Sequence, residues 1–111
     1  MKRINENLSD HELNCLVVAA LGIEEDVHIG ERSITRHCIG GSVLRQAYPL
    51  DYCNNASDTW RLISTYNITV CGDGYAHLTS SNLPMNRDDI EYWDTNPLRA
   101  AVEVFLDMQQ D

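Results

Sequence analysis

The chain has 111 residues, 43% hydrophobic and 23% charged, values that suit one globular domain whose modest core gains from a partner, a homo-oligomer included. Its formal net charge of −9 sets it against direct nucleic-acid binding. No apolar run approaches the ~20 residues of a bilayer span and the opening MKRINENLSD holds no apolar signal region, so no membrane contact is expected and the cytoplasm of the cell that makes the chain is the expected location.

The first predicted element is a helix over NLSDHELNCLVVAALG. Ser9 stands as its N-cap and Glu12 three residues on, the spacing of a capping box. Leu8 and Leu13 occupy the positions of a hydrophobic staple. Leu13, Leu16, Val17, Ala20 and Leu21 recur at helical spacing, and Gly22 permits the left-handed turn that ends the helix. His11 falls in the exposed first turn.

The next segment, from Glu24 to Leu50, alternates weakly. Val27 and Ile29, then Ile34 and Val43, suggest two short strands around the Gly40-Gly41 turn, with Pro49 ending the second. From Glu31 to Ala47 three arginines, Arg32, Arg36 and Arg45, stand against one acid, Glu31, with His37 beside them.

In DYCNNASDTWRLI, Asn55 is a good N-cap and Asp58 has the capping-box position. Trp60, Ile63 and Tyr66 or Asn67 follow at helical intervals, so Trp60 is expected to pack this second helix onto a sheet. Asn54 is left to brace the preceding loop through backbone hydrogen bonds.

NITVCGDGYAHLT reads as a hairpin with a GDG turn, Ile68 and Val70 sharing a face and Ala76 and Leu78 sharing a face on the return strand. SSNLPMNRDDIEYWDT, polar and containing Pro84, reads as a loop anchored by Tyr92 and Trp93. Asn96 then caps a last helix with Pro97 at its first position, and Leu98, Ala101, Val102, Phe105 and Met108 form its buried stripe. The order predicts an α+β fold, a small single domain in which an antiparallel sheet with two short hairpins is covered by about three helices.

Chemistry is sparse. Cys15, Cys38, Cys53 and Cys71 lack the spacing of a zinc site and are expected to be buried thiols. There is no Gly-rich phosphate loop, no metal-binding helix motif and no serine elbow. The expectation is a protein that is not an enzyme and needs no metal or other cofactor.

Three stretches, LSDHELNCLVVAALG, YPLDYCNNASDTWRLISTYNITV and DTNPLRAAVEVFLDMQ, resemble the NinX family, small proteins encoded in the accessory region, called nin, of lambdoid bacteriophages. The family pattern runs LSD-E-N--VA-ALG, then DYCNNP-DAW-II, then NPLRAA-IVFL-M. Here Ala56 and Ser57 stand where the family often has a proline or another small residue, Thr59 replaces the usual alanine, and GYAHLT lacks a tryptophan the family often carries. The resemblance implies a phage accessory protein, of a kind that often disarms host defences or redirects host enzymes, and carries over no catalytic role.

Two functions remain open. In the first, the chain inhibits a host protein or nucleoprotein complex, such as a CRISPR effector or a DNA-processing enzyme, by covering its basic groove. From Asp88 to Asp111 seven acids face one arginine, and Asp88, Asp89, Glu91 and Asp94, with Tyr92 and Trp93 as aromatic anchors, would make the contact. In the second, the chain sequesters a host signalling nucleotide through Arg32, Arg36, Arg45, Asp51, Tyr52 and Asn54.

Overall fold

The structure, a computed structural model, describes residues 8–39, 45–78 and 90–109. Three helices are present, α1 (Asp10–Leu21), α2 (Ala56–Tyr66) and α3 (Pro97–Met108), with a 3₁₀ turn at Glu24–Asp26. The strands are β1 (Val27–Ile29), β2 (Ile34–Ile39), β3 (Arg45–Leu50), β4 (Ile68–Val70), β5 (Tyr75–Leu78) and β6 (Glu91–Trp93). They form two three-stranded antiparallel sheets, β1-β2-β3 and β4-β5-β6. The fold is a small α+β domain.

The helix ends follow from their caps. Ser9 accepts from the Glu12 amide at 3.1 Å while Glu12 Oε1 accepts from the Ser9 amide at 3.1 Å, the reciprocal pair of a capping box. Gly22 closes α1 at φ 69°. Asn55 caps α2 through the amides of Ser57 and Asp58, and Asn96 caps α3 through the Leu98 amide, with Pro97 at the first turn.

The core is built around α3. Every residue from Ala100 to Asp107 is buried, so this helix has no solvated face along its middle turns. It packs on α1, on α2 and on all three strands of the β4-β5-β6 sheet. Two acids go inside with it. Tyr92 Oη donates to Asp107 Oδ2 at 3.0 Å, and Glu103, 0% exposed, lies 3.4 Å from Arg99 Nε.

Several sequence expectations need correction. Trp60 does not pack α2 onto a sheet: it is 61% exposed, and Thr59 and Leu62 are the buried residues of that helix. The reason is chemical. Thr59 Oγ1 donates to the Tyr52 and Asn55 carbonyls, the latter at 2.9 Å, which turns position 59 inward and position 60, ~100° around the helix, outward. Asp58 does not complete a capping box; its Oδ2 accepts from the Asp51 amide at 3.0 Å. On α1 the buried residues are Leu13, Asn14, Val17 and Val18, while Leu16 is exposed.

The Val27/Ile29 and Ile34 signals fall on separate strands, so this segment holds three strands where two were expected, and β6 lies in what reads as a loop. The Gly40-Gly41 turn and the Pro84 segment lie outside the described residues.

Candidate functional site

The three family-like stretches converge in space. α1, the loop before α2 and the start of α3 meet at a polar junction centred on Asp51 and Asn54. Asn14 Nδ2 donates to Asp51 Oδ1 at 2.9 Å, and Asn14 Oδ1 accepts from the Tyr52 amide at 3.0 Å. That pairing explains why an asparagine occupies the buried face of α1. The Cys53 amide also donates to Asp51 Oδ1, at 3.1 Å.

Asn54 acts through its side chain rather than through backbone bonds. Its Nδ2 donates to Asp10 Oδ2 at 3.1 Å and to Asp51 Oδ2 at 3.0 Å, while its Oδ1 accepts from Asn96 Nδ2 at 3.2 Å. Asn96 Nδ2 donates in addition to the Cys53 carbonyl at 2.6 Å. One asparagine therefore caps α3 and holds the loop of the central stretch.

Arg99 closes the junction. Its Nη1 donates to Asp10 Oδ1 at 2.5 Å and its Nη2 to the Leu8 carbonyl at 2.6 Å, while Nε lies 3.1 Å from Asp94 Oδ2. Burial by itself lowers the pKa of this guanidinium, but the Asp10 hydrogen bond and the charges of Asp10, Glu103 and Asp94 outweigh it, and the net shift is upward. Cys53, beneath, has its thiol pushed up to about 12 by burial first and by Asp10 second. It stays protonated and donates to the Asp10 carbonyl at 3.8 Å. Of the other thiols, Cys15 is half-buried and Cys71 exposed, so the expectation of uniformly buried cysteines holds for Cys53 alone among the described side chains.

Beside the junction lies a cleft of about 300 Å³. Asp10, His11 and Asn14 line it from α1, Arg32 from the turn after β1, and Asp51 and Asn54 from the central loop. His11 is not a free surface residue, since its Nε2 donates to the Gly30 carbonyl at 2.9 Å. Of the residues proposed for a nucleotide, Arg32, Asp51 and Asn54 come together here. Tyr52 is buried in the core, Arg36 lies along β2 outside the cleft lining, and the Arg45 side chain lies outside the described part.

The residues proposed for a host protein divide differently. Tyr92 is 0% exposed and belongs to the core, so it anchors no surface contact. Glu91 and Trp93, two positions apart on β6, share the opposite, outward face. Trp93 is 47% exposed and its ring lies 4.4 Å from that of Tyr75, its cross-strand partner. Tyr75 Oη donates to Glu91 Oε2 at 2.6 Å. Asp94 sits at the strand's end, half-buried against Arg99. Asp88 and Asp89 lie outside the described residues. Sequence alone missed Tyr75 and Asp73, which only the register of β5 with β6 brings beside Trp93.

Among the described residues, no group of three His, Cys, Asp or Glu side chains is placed to hold a metal ion, and no helix is long and apolar enough to cross a membrane. The architecture is that of a small α+β domain whose three recurrent segments lock together through side-chain amides, carboxylates and one arginine. The family model described as Bacteriophage P22, NinX matches residues 5–109, and the chain belongs to that family, which makes it a phage accessory protein. No curated protein and no solved structure matches it.

Proposed function

We propose that this protein is a non-catalytic counter-defence inhibitor that acts in the host cytoplasm by covering the basic groove of a host nucleoprotein, such as a CRISPR effector or a DNA-processing enzyme. The observation that supports this reading is the outward face of the β4-β5-β6 sheet. There an exposed tryptophan sits among Asp73, Glu91 and Asp94 on a chain of net charge −9. Aromatic rings supply contact area at low entropic cost, and acids of this kind speed association with a basic surface.

The test is displacement. The protein is added to host nucleoproteins carrying labelled nucleic acid, and release is followed at low and high salt. Release that slows as salt rises, and that is lost in the Trp93→Ala protein, is the expected result. Release unaffected by both changes removes the proposal.

The cleft beside the junction favours a second reading, sequestration of a host signalling nucleotide. It ranks lower because Arg32 stands there against two carboxylates, Asp10 and Asp51, an unfavourable balance for a phosphate-bearing ligand. Extraction of the purified protein for bound nucleotide, with Arg32→Ala as the comparison, decides between the two.

A further inference from the structure

Alternation along β4, β5 and β6 sorts the second sheet into two faces. Ile68, Ala76, Leu78 and Tyr92 are buried on the side of α3, while Thr69, Tyr75, His77, Glu91 and Trp93 point outward. On that outer face three rings form a row. Trp93 and Tyr75 lie 4.4 Å apart with 31° between their planes, and Tyr75 and His77 lie 5.0 Å apart with 30° between theirs. The bond from Tyr75 Oη to Glu91 Oε2 fixes the middle ring.

The row ends in a pocket of about 410 Å³ lined by Asp73, Trp93, Asp94 and Thr95. Its geometry depends on Gly74. The Asp94 amide donates to the Gly74 carbonyl at 2.9 Å, and a Cβ on Gly74 would stand 1.9 Å from the Asp94 carbonyl oxygen. This close approach sets the exposed Asp73 of the β4–β5 turn beside the end of β6.

We propose that this pocket takes an arginine side chain from a basic partner protein, an assignment that rests on the protein-binding reading above and names its chemistry. The guanidinium lies flat on the Trp93 indole and directs its N–H groups to the exposed carboxylate of Asp73, whose Oδ1 also accepts from the Tyr75 amide at 3.3 Å. A planar, weakly hydrated cation suits both contacts, since it stacks on an aromatic face and meets a carboxylate with two parallel donors. A lysine ammonium keeps the charge but loses the stacking and the fork. Asp94 adds field rather than a docking point, because its carboxylate already pairs with Arg99 and accepts from the Asn96 amide.

The experiment uses the full chain carrying Trp60→Phe, which leaves Trp93 as the single indole of the two in the sequence. Its fluorescence is titrated with short arginine-rich, lysine-rich and acidic peptides of equal length at moderate salt. The arginine peptide is expected to change the emission saturably and to bind roughly tenfold tighter than the lysine peptide, in line with a partly desolvated cation–π contact. Asp73→Asn should weaken it several-fold. Glu25→Gln, which removes the same charge from an exposed site in the 3₁₀ turn, should not.

Equal binding of the arginine and lysine peptides, or equal effects of Asp73→Asn and Glu25→Gln, overturns the assignment and reduces the contact to net charge. Circular dichroism of each variant shows that the fold is kept, and wild-type protein titrated by calorimetry gives the same comparison should Trp60→Phe misfold. Displacement of host nucleic acid together with equal peptide affinities would sink the arginine pocket and leave the protein-binding reading standing. Arginine-selective peptide binding with no displacement from any host nucleoprotein would do the reverse.

Discussion

The junction around Asp51 and the outer face of the β4-β5-β6 sheet both concentrate polar and acidic side chains, and they use them in opposite ways. At the junction Asp10, Asp51, Asn14, Asn54, Asn96 and Arg99 bond mainly to one another and to backbone groups. On the sheet face, ring surface remains open to solvent beside exposed Asp73. A polar group that is already satisfied inside a network contributes to holding elements together and has little left to offer a ligand. An exposed aromatic with carboxylates near it is poorly explained by stability. The contrast separates the residues that carry the family resemblance, which build the junction, from those on which the proposed partner contact rests.

The largest effect that bears on this contrast is expected from Arg99→Met. Asp94 and Glu103 would lose the guanidinium that offsets their burial, a loss of about 3 kcal/mol or more by urea unfolding. A loss below ~1 kcal/mol, the scale of an exposed ion pair, would show that the junction is not a structural keystone. Gly74→Ala comes next, at about 2 kcal/mol, because φ of 101° and the approach to the Asp94 carbonyl both reject a side chain. It should also weaken any partner contact made through the sheet face.

Trp93→Ala should cost ~1 kcal/mol, the scale of one aromatic pair, while removing partner binding. Such a split between stability and binding is what distinguishes the face from the junction; a large loss of stability would erase the distinction. Trp60→Ala should change stability by no more than ~0.5 kcal/mol, since the ring is largely exposed. A loss of several kcal/mol would return Trp60 to the core.

The smallest effect concerns acid. The backbone hydrogen bond from Ser9 holds the Glu12 carboxyl below its ordinary value of 4.5, with the Ser9 side chain and His11 acting in the same direction. A lowered folded pKa stabilises above the ordinary value and is lost as pH falls through the folded one. The melting temperatures of wild type and Glu12→Gln should therefore converge as the solution is made strongly acid. Curves that stay parallel would show that the Glu12 charge plays no part.

Much of the fold was legible because its signals are local. Ser9, Gly22, Asn55, Asn96 and Pro97 mark helix ends by chemistry that depends on a few neighbouring residues, and the structure keeps each of them. The failures share a different cause. Trp60 and Asn14 fall on the side opposite to the one hydrophobicity assigns, because the bonds from Thr59 to Tyr52, from Asn14 to Asp51 and from the Tyr52 amide to Asn14 decide the helix rotations. β6 has three residues and exists through pairing with β5, so no periodic pattern announces it. The candidate face depends on that same pairing. The central stretch DYCNN signalled something unusual, but its partners lie more than thirty residues away in sequence, at Asn14 and Asn96.

The position of α3 has a consequence for synthesis. The helix around which α1, α2 and the second sheet assemble is the last of the described helices to be translated. Arg99 reaches back across 89 residues to Asp10, so α1 waits for its counter-ion until α3 has been made. Loop closure over such spans slows folding, and a nascent chain without α3 keeps its apolar surfaces open. Ribosome-bound chains stalled before Pro97 should be readily cleaved by protease, and chains stalled with Met108 outside the exit tunnel should resist it.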